Sequence, residues 1–238
     1  MGKAYRELKE RAFEANMALP KRGLTICTFG NVSAYDSAAG LFAIKPSGVE
    51  YDRLAVDDMV VMDLEGTVVE GALRPSSDTK THIVLYRSFE GLGGVVHTHS
   101  TYATGWAQAK MPIPIYGTTH ADYLAEDVPC TEVLDAEAIG GDYETATGKQ
   151  IVACFQGRDP KHTPMVLVAG HGPFAWGATA EAAVYHATMV EEIAKMAFIT
   201  HSIAPETERL PAALIRKHFE RKHGRNAYYG QPIRSPKT

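Results

Sequence analysis

Cysteine is scarce in this chain: Cys27, Cys130 and Cys154 are the only three, far apart and without a CxxC pair. Their number and spacing exclude a disulfide framework and a thiolate metal site, and leave reduced thiols. Long apolar runs are missing too. Nothing approaches the roughly 20 residues of a membrane-spanning helix, and residues Lys3 to Arg11 are polar and charged. A cytoplasmic protein with no membrane partner is expected. Excess charge of one sign is also absent: 24 basic and 28 acidic residues give a formal net charge of −4. No basic footprint for nucleic acid exists, and an anionic small substrate would need a local basic site. Neither a Walker loop nor a dinucleotide fingerprint occurs, so ATP and nicotinamide are not implied.

Apolar residues and histidine are plentiful. A hydrophobic content of 45% over 238 residues supports a substantial core, and with no linker or repeat the expectation is a single domain over residues 1–238. Ten histidines direct attention to imidazole chemistry.

Apolar positions at Tyr5, Leu8, Ala12, Ala15 and Leu19 predict an amphipathic helix ended by Pro20. Short β-prone runs follow at 25–29, 32–35, 41–44, 59–62 and 67–69, separated by turn residues. A helix is predicted over 79–89, with Asp78 as a candidate cap. A strand then ends in Val95-Val96-His97-Thr98-His99, followed by a helix over 101–109 and a short strand over 113–116. Residues 117–122 read as a functional loop and 126–149 as connecting structure, with a short helix over 151–156. A strand over 165–169 runs into Gly170-His171-Gly172, and a strand at 174–176 pairs beside it. Thr179 caps a long helix to about residue 199, and a last helix spans 211–222. The fold expected is a three-layer α/β/α arrangement, a mostly antiparallel sheet covered by helices.

His97 and His99, one residue apart on an extended segment, should project from one face of a strand end as two metal ligands. His171 is the natural third, because it also follows an apolar strand and has glycine on both sides. Asp78 is the candidate carboxylate, with helix capping as its alternative role. An Asp78/His82 metal pair, four residues apart on one helical face, competes; a half-buried histidine of this kind is more often a hydrogen-bonded core residue. Three donor-rich stretches, Gly30-Asn31, Lys45-Pro46-Ser47-Gly48 and Ser76-Ser77, suit a phosphate, with Lys45 supplying charge.

These segments share an order. Gly30-Asn31-Val32-Ser33, Lys45-Pro46-Ser47-Gly48, Pro75-Ser76-Ser77-Asp78, His97-Thr98-His99, Gly117-Thr118-Thr119-His120-Ala121-Asp122, His171 to Gly177, and Arg221-Lys222-His223-Gly224 through Gln231 follow one another. In this the chain resembles the L-ribulose-5-phosphate 4-epimerases of the class II aldolase superfamily, over nearly its whole length. The resemblance implies a divalent ion, usually zinc with manganese or cobalt as substitutes, held by Asp78, His97, His99 and His171. It also implies phosphate contacts at Asn31, Ser47, Gly48, Ser76 and Ser77 with Lys45 adjacent, an acid/base pair at Asp122 and Tyr229, and a further active-site histidine at His218. Related aldolases carry glutamate where Asp78 stands, which favours the epimerase. The implied reaction interconverts L-ribulose 5-phosphate and D-xylulose 5-phosphate by retro-aldol cleavage and re-addition at C3–C4. The implied assembly is a homotetramer whose tail tyrosine reaches a neighbouring subunit's site. The alternatives are a fuculose- or rhamnulose-phosphate type aldolase, or a non-catalytic binding module as in the adducin head.

Overall fold

The computed structural model of the chain describes residues 3–225, 227 and 228. Helix α1 (Lys3–Lys21) leads into strands β1 (Asn31–Asp36) and β2 (Leu41–Ile44). A single 3-10 turn (Val56–Asp58) precedes β3 (Val60–Asp63) and β4 (Val68–Glu70). Then come α2 (Thr79–Ser88), β5 (Gly94–His97), α3 (Thr101–Ala109), the one-turn helix α4 (Thr118–Ala121), α5 (Ala136–Gly140) and α6 (Tyr143–Cys154). Strands β6 (Met165–Val168) and β7 (Gly172–Gly177) are followed by the long α7 (Ala180–Ile203) and by α8 (Ala212–His223).

The seven strands form one sheet in the order β4-β3-β2-β1-β5-β7-β6, with every neighbouring pair antiparallel. Side chains alternate between its faces. Val32, Ala34, Val96 and Ala175 pack with Leu8, Ala12, Ala103, Ala187 and Val190 from α1, α3 and α7. Their neighbours Val95, Phe174 and Trp176 point the other way and pack with Ile83, Leu85 and Ile151 from α2 and α6. Helices thus cover both faces, giving the expected α/β/α layers.

Several local expectations change. Pro20 lies inside the last turn of α1 and does not end it; the helix stops at Lys21, before Gly23 at φ 69°. Residues 25–29 form no strand, because Cys27 (φ 52°) and Gly30 (φ 90°) turn the chain before β1 begins. Residues 113–116 make only an isolated bridge, Ile113 to Val128, since Pro112 and Pro114 cannot donate to a ladder. Residues 117–122 contain α4 in place of the expected loop. The stretch 126–149 holds α5 and most of α6, so the helix expected over 151–156 begins at Tyr143. Its buried positions include Thr147 and Gly148 beside Ile151, which leaves little apolar periodicity to read.

Candidate metal and phosphate site

Three neighbouring strands are in register in one row at this edge of the site: Asn31 at the start of β1 pairs with His97 at the end of β5, and His97 pairs with Phe174 within β7. The His97 ring stacks on Phe174 at 4.3 Å between centroids. β5 stops at His97. His99 lies two residues beyond it, and the two rings stand together at the strand end as expected. The chain there crosses the β6–β7 turn, where Thr98 N donates to the Pro173 carbonyl at 3.3 Å. His171 occupies that turn, its N–H donating to the Val168 carbonyl at 2.9 Å.

The three imidazoles converge from these separate positions. Ring centroids are 4.9 Å apart for His97–His99, 4.6 Å for His97–His171 and 5.1 Å for His99–His171. One ring nitrogen of each lies within 4.8 Å of the others. His97 Nδ1 is 3.0 Å from the Pro173 carbonyl, which can only accept, so Nδ1 carries the hydrogen and Nε2 keeps its lone pair. His171 Nδ1 lies 3.4 Å from the Tyr143 hydroxyl. Burial, reinforced by repulsion from His97, lowers the pKa of His99 and takes that of His171 down to about 4. Neutral imidazoles at pH 7 are the form a cation binds. The donor set therefore fits a divalent transition metal, although the ion's identity is not fixed by three nitrogens.

Asp78 stands at the start of α2 but caps nothing with its side chain. Its Oδ2 accepts from Asn31 Nδ2 at 2.6 Å and from Ser76 Oγ at 3.5 Å. Burial alone would raise this carboxyl; attraction from His97 and His82, the Asn31 hydrogen bond and His171 outweigh it, and the net shift is downward. His82 does not join the histidine trio. It is fully buried, with Nδ1 2.7 Å from Ser33 Oγ, and burial pushes its pKa down to about 3.

A cavity of about 380 Å³ opens over the trio and Asp78. Its other walls come from residues 28–31, 45–48 and 76–77, so every residue proposed for phosphate lines it: Asn31, Lys45, Ser47, Gly48, Ser76 and Ser77. The two loops are joined backbone to backbone, Ser47 N to the Arg74 carbonyl at 2.9 Å and Ser76 N to the Lys45 carbonyl at 3.0 Å. Gly48 holds φ 68°, a turn that favours glycine. Lys45 is 2% exposed. Among the described residues its Nζ reaches the Pro46 carbonyl at 3.4 Å and the face of Tyr51 at 4.9 Å, and burial lowers its pKa. An ammonium without a carboxylate partner among the described residues, beside hydroxyls and a glycine turn, is suited to receive an anion.

Asp122 and His218 do not line this cavity. They meet between α4 and α8, where Asp122 Oδ1 accepts from His218 Nδ1 at 2.9 Å and from Arg221 Nε at 2.8 Å. Arg221 also grips Oδ2 at 2.5 Å, and Lys222 Nζ lies 4.0 Å away. Partial burial would raise this carboxyl, but the hydrogen bonds from Arg221 and His218 hold it below the usual range. Tyr229 lies outside the described residues. Sequence reading misses Thr28 and Phe29 in the cavity wall, and Tyr143 beside His171. Residues 25–29 carry the pattern of a strand, and Tyr143 falls in a stretch without periodicity.

An antiparallel sheet under two helical layers, with a histidine cluster at one sheet end and a polar loop cradle over it, defines an α/β domain of the class II aldolase type. Residues 10–198 match the sequence model of the Class II Aldolase and Adducin N-terminal domain, and the chain belongs to that family. Among solved structures it is similar to an L-fuculose 1-phosphate aldolase at 28% identity and TM-score 0.76, covering 90% of this chain and 95% of that one. The L-fuculose-1-phosphate aldolase of Thermus thermophilus aligns at 25% identity and TM-score 0.65, over 85% of this chain and 100% of that one. YgbL of Klebsiella pneumoniae, described as a putative aldolase/epimerase/decarboxylase, shares the fold at 24% identity and TM-score 0.72, over 91% of this chain and 99% of that one.

Proposed function

We propose that this protein is a metal-dependent sugar-phosphate epimerase that interconverts L-ribulose 5-phosphate and D-xylulose 5-phosphate. The observation that carries this reading is the cavity shared by Asp78, the three histidines and the serine, glycine and lysine cradle. In this reading Asp78, His97, His99 and His171 hold a divalent ion, zinc as the resemblance implies, with manganese or cobalt as substitutes. When bound, it supplies Lewis-acid polarisation of substrate oxygens.

The protein's own groups do the rest. Ser47, Ser76, Ser77, the Gly48 turn and Lys45 anchor the phosphate, so the aldehyde fragment stays bound while it rotates. C4 bears no acidic hydrogen, so inversion there requires breaking C3–C4. A base takes the C4 hydroxyl proton, the C3–C4 electron pair moves to the ketone half as an enediolate, and glycolaldehyde phosphate forms. Re-addition to the other aldehyde face returns a proton to the new C4 oxygen. Asp122 and Tyr229 are the proposed proton carriers on the two sides. Arg221 and His218 keep Asp122 ionised, the form that accepts a proton. The working unit in this reading is a cytoplasmic homotetramer in which the tail tyrosine Tyr229 reaches a neighbouring subunit's site.

The similarity to fuculose-phosphate aldolases supports a second reading, an aldolase that releases its fragments. Incubating purified enzyme with L-ribulose 5-phosphate separates the two. D-xylulose 5-phosphate without free aldehyde is the expected product; free aldehyde alone would establish the aldolase. Tyr229→Phe should retain the metal and lose most epimerisation, and Asp122→Asn should slow turnover by roughly 10²–10⁴-fold.

A further inference from the structure

Asn31 and Ser33 are two residues apart on β1 and share one face of the sheet. Asp78, His82 and Tyr86 recur at four-residue intervals at the start of and along α2, and so form one stripe. The row and the stripe meet in two rungs. Asn31 Nδ2 donates to Asp78 Oδ2 at 2.6 Å. One step further, Ser33 Oγ stands 2.7 Å from His82 Nδ1 and 2.6 Å from Tyr86 Oη. Ser33 and His82 are both 0% exposed.

A serine beside a histidine could suggest a nucleophile and its base. Full burial excludes that role, because neither residue lines the cavity that a substrate would enter. The hydrogen supply points elsewhere. Ser33 has one hydroxyl hydrogen and two neighbours to satisfy. The Tyr86 hydroxyl donates to the Ser33 carbonyl at 3.2 Å; when Ser33 Oγ donates to Tyr86 Oη and His82 Nδ1–H donates to Ser33 Oγ, all three contacts are made and the imidazole lone pair resides on Nε2. That nitrogen is buried and has no protein partner among the described residues. His82 also lies close enough to Asp78 and His97 to act on both electrostatically.

We propose that Ser33, His82 and Tyr86 are positioning residues for the metal centre: their buried hydrogen-bonded chain locks α2 against β1, so that Asp78 is presented to His97, His99 and His171. The inference rests on the reading of those four residues as the metal site. Groups that orient metal ligands in this way typically change affinity by about 10–100-fold when removed.

The test uses the full chain and measures zinc affinity by competition with a chromophoric chelator, the ligand-field spectrum of the cobalt form, and thermal unfolding of the metal-free protein. Ser33→Ala and Tyr86→Phe are the primary variants, because each removes only one oxygen; His82→Gln is added where it folds. Ser33→Ala should weaken zinc binding about 10–100-fold and alter the cobalt spectrum, with a smaller change for Tyr86→Phe. Ile151→Val, in the same core cluster, should lower the melting temperature and leave affinity and spectrum unchanged. Folded Ser33→Ala and Tyr86→Phe proteins with wild-type affinity and spectrum would overturn the inference alone. Absence of zinc binding by the wild-type protein would overturn the metal-site reading and this inference with it.

Discussion

Gly172 lies against the Thr98 carbonyl so closely that a Cβ at position 172 would stand 2.8 Å from that oxygen and 3.5 Å from His97 Cε1. The absence of a side chain there is what allows the β6–β7 turn to lie against the His97–His99 segment. Gly172→Ala should therefore push the two histidine-bearing segments apart. We expect a loss of about 1–3 kcal/mol in stability, typical of overpacking, together with a weaker metal affinity. Urea denaturation and metal titration on the same sample check both effects.

Removal of the metal should affect folding as well as turnover. Treatment with EDTA is expected to abolish activity, and readdition of zinc to restore it. A ligand present at roughly 100 times its Kd stabilises the folded state by about 2.7 kcal/mol, so the metal-loaded protein should melt at a higher temperature. His97→Asn should lose metal, activity and this stabilisation together. Elemental analysis and calorimetry of wild type and variant provide the measurement.

Lys45 sets stability against function. Its ammonium is buried and has no acidic partner among the described residues. Lys45→Met keeps the apolar stem and removes the desolvated charge, so stability should rise by about 1 kcal/mol. KM for the phosphorylated substrate should rise at the same time, with kcat less affected. Steady-state kinetics and thermal melts decide the matter, and an unchanged KM would remove Lys45 from the phosphate site.

His120, 5% exposed, gives a pH prediction away from the cavity. Burial lowers its pKa from 6.5 to about 4 in the folded chain. Between those values the unfolded state binds more protons than the folded one, so stability falls as pH drops. From about pH 7 to pH 5 this single group should remove about 2 kcal/mol. His120→Gln should flatten the dependence by a comparable amount, as read from urea midpoints at the two pH values.

How far the site is legible in the sequence depends on how local each signal is. Thr179 as a helix cap is confirmed by its side chain accepting from Ala182 N, and Leu41–Ile44 and Thr101–Ala109 fall at their expected bounds. These rest on periodicity and cap chemistry within a few residues. Helix α6 escapes notice because its buried face includes threonine and glycine, and Gly148 is required only because Val84 of α2 would lie 2.7 Å from a Cβ there. Spacing alone makes His97 and His99 neighbours on one strand face. They do stand together at the strand end, but their meeting with His171 depends on packing against a turn remote in sequence.

What the sequence determined by itself was therefore the inventory: apolar runs that become strands, amphipathic stretches that become helices, and histidines, serines and one aspartate at their ends. Hydrophobic period and turn chemistry are properties of short segments, and they suffice for that. Tertiary structure alone decided which of these groups meet. It settled the side-chain partner of Asp78 as Asn31 with no cap bond, set His82 on Ser33 outside the histidine trio, and gathered Lys45 into the cavity with no ion pair among the described residues. Those outcomes depend on sheet order and on how helices seat across strands, where contacts between distant residues and the exclusion of water fix each side chain's partner.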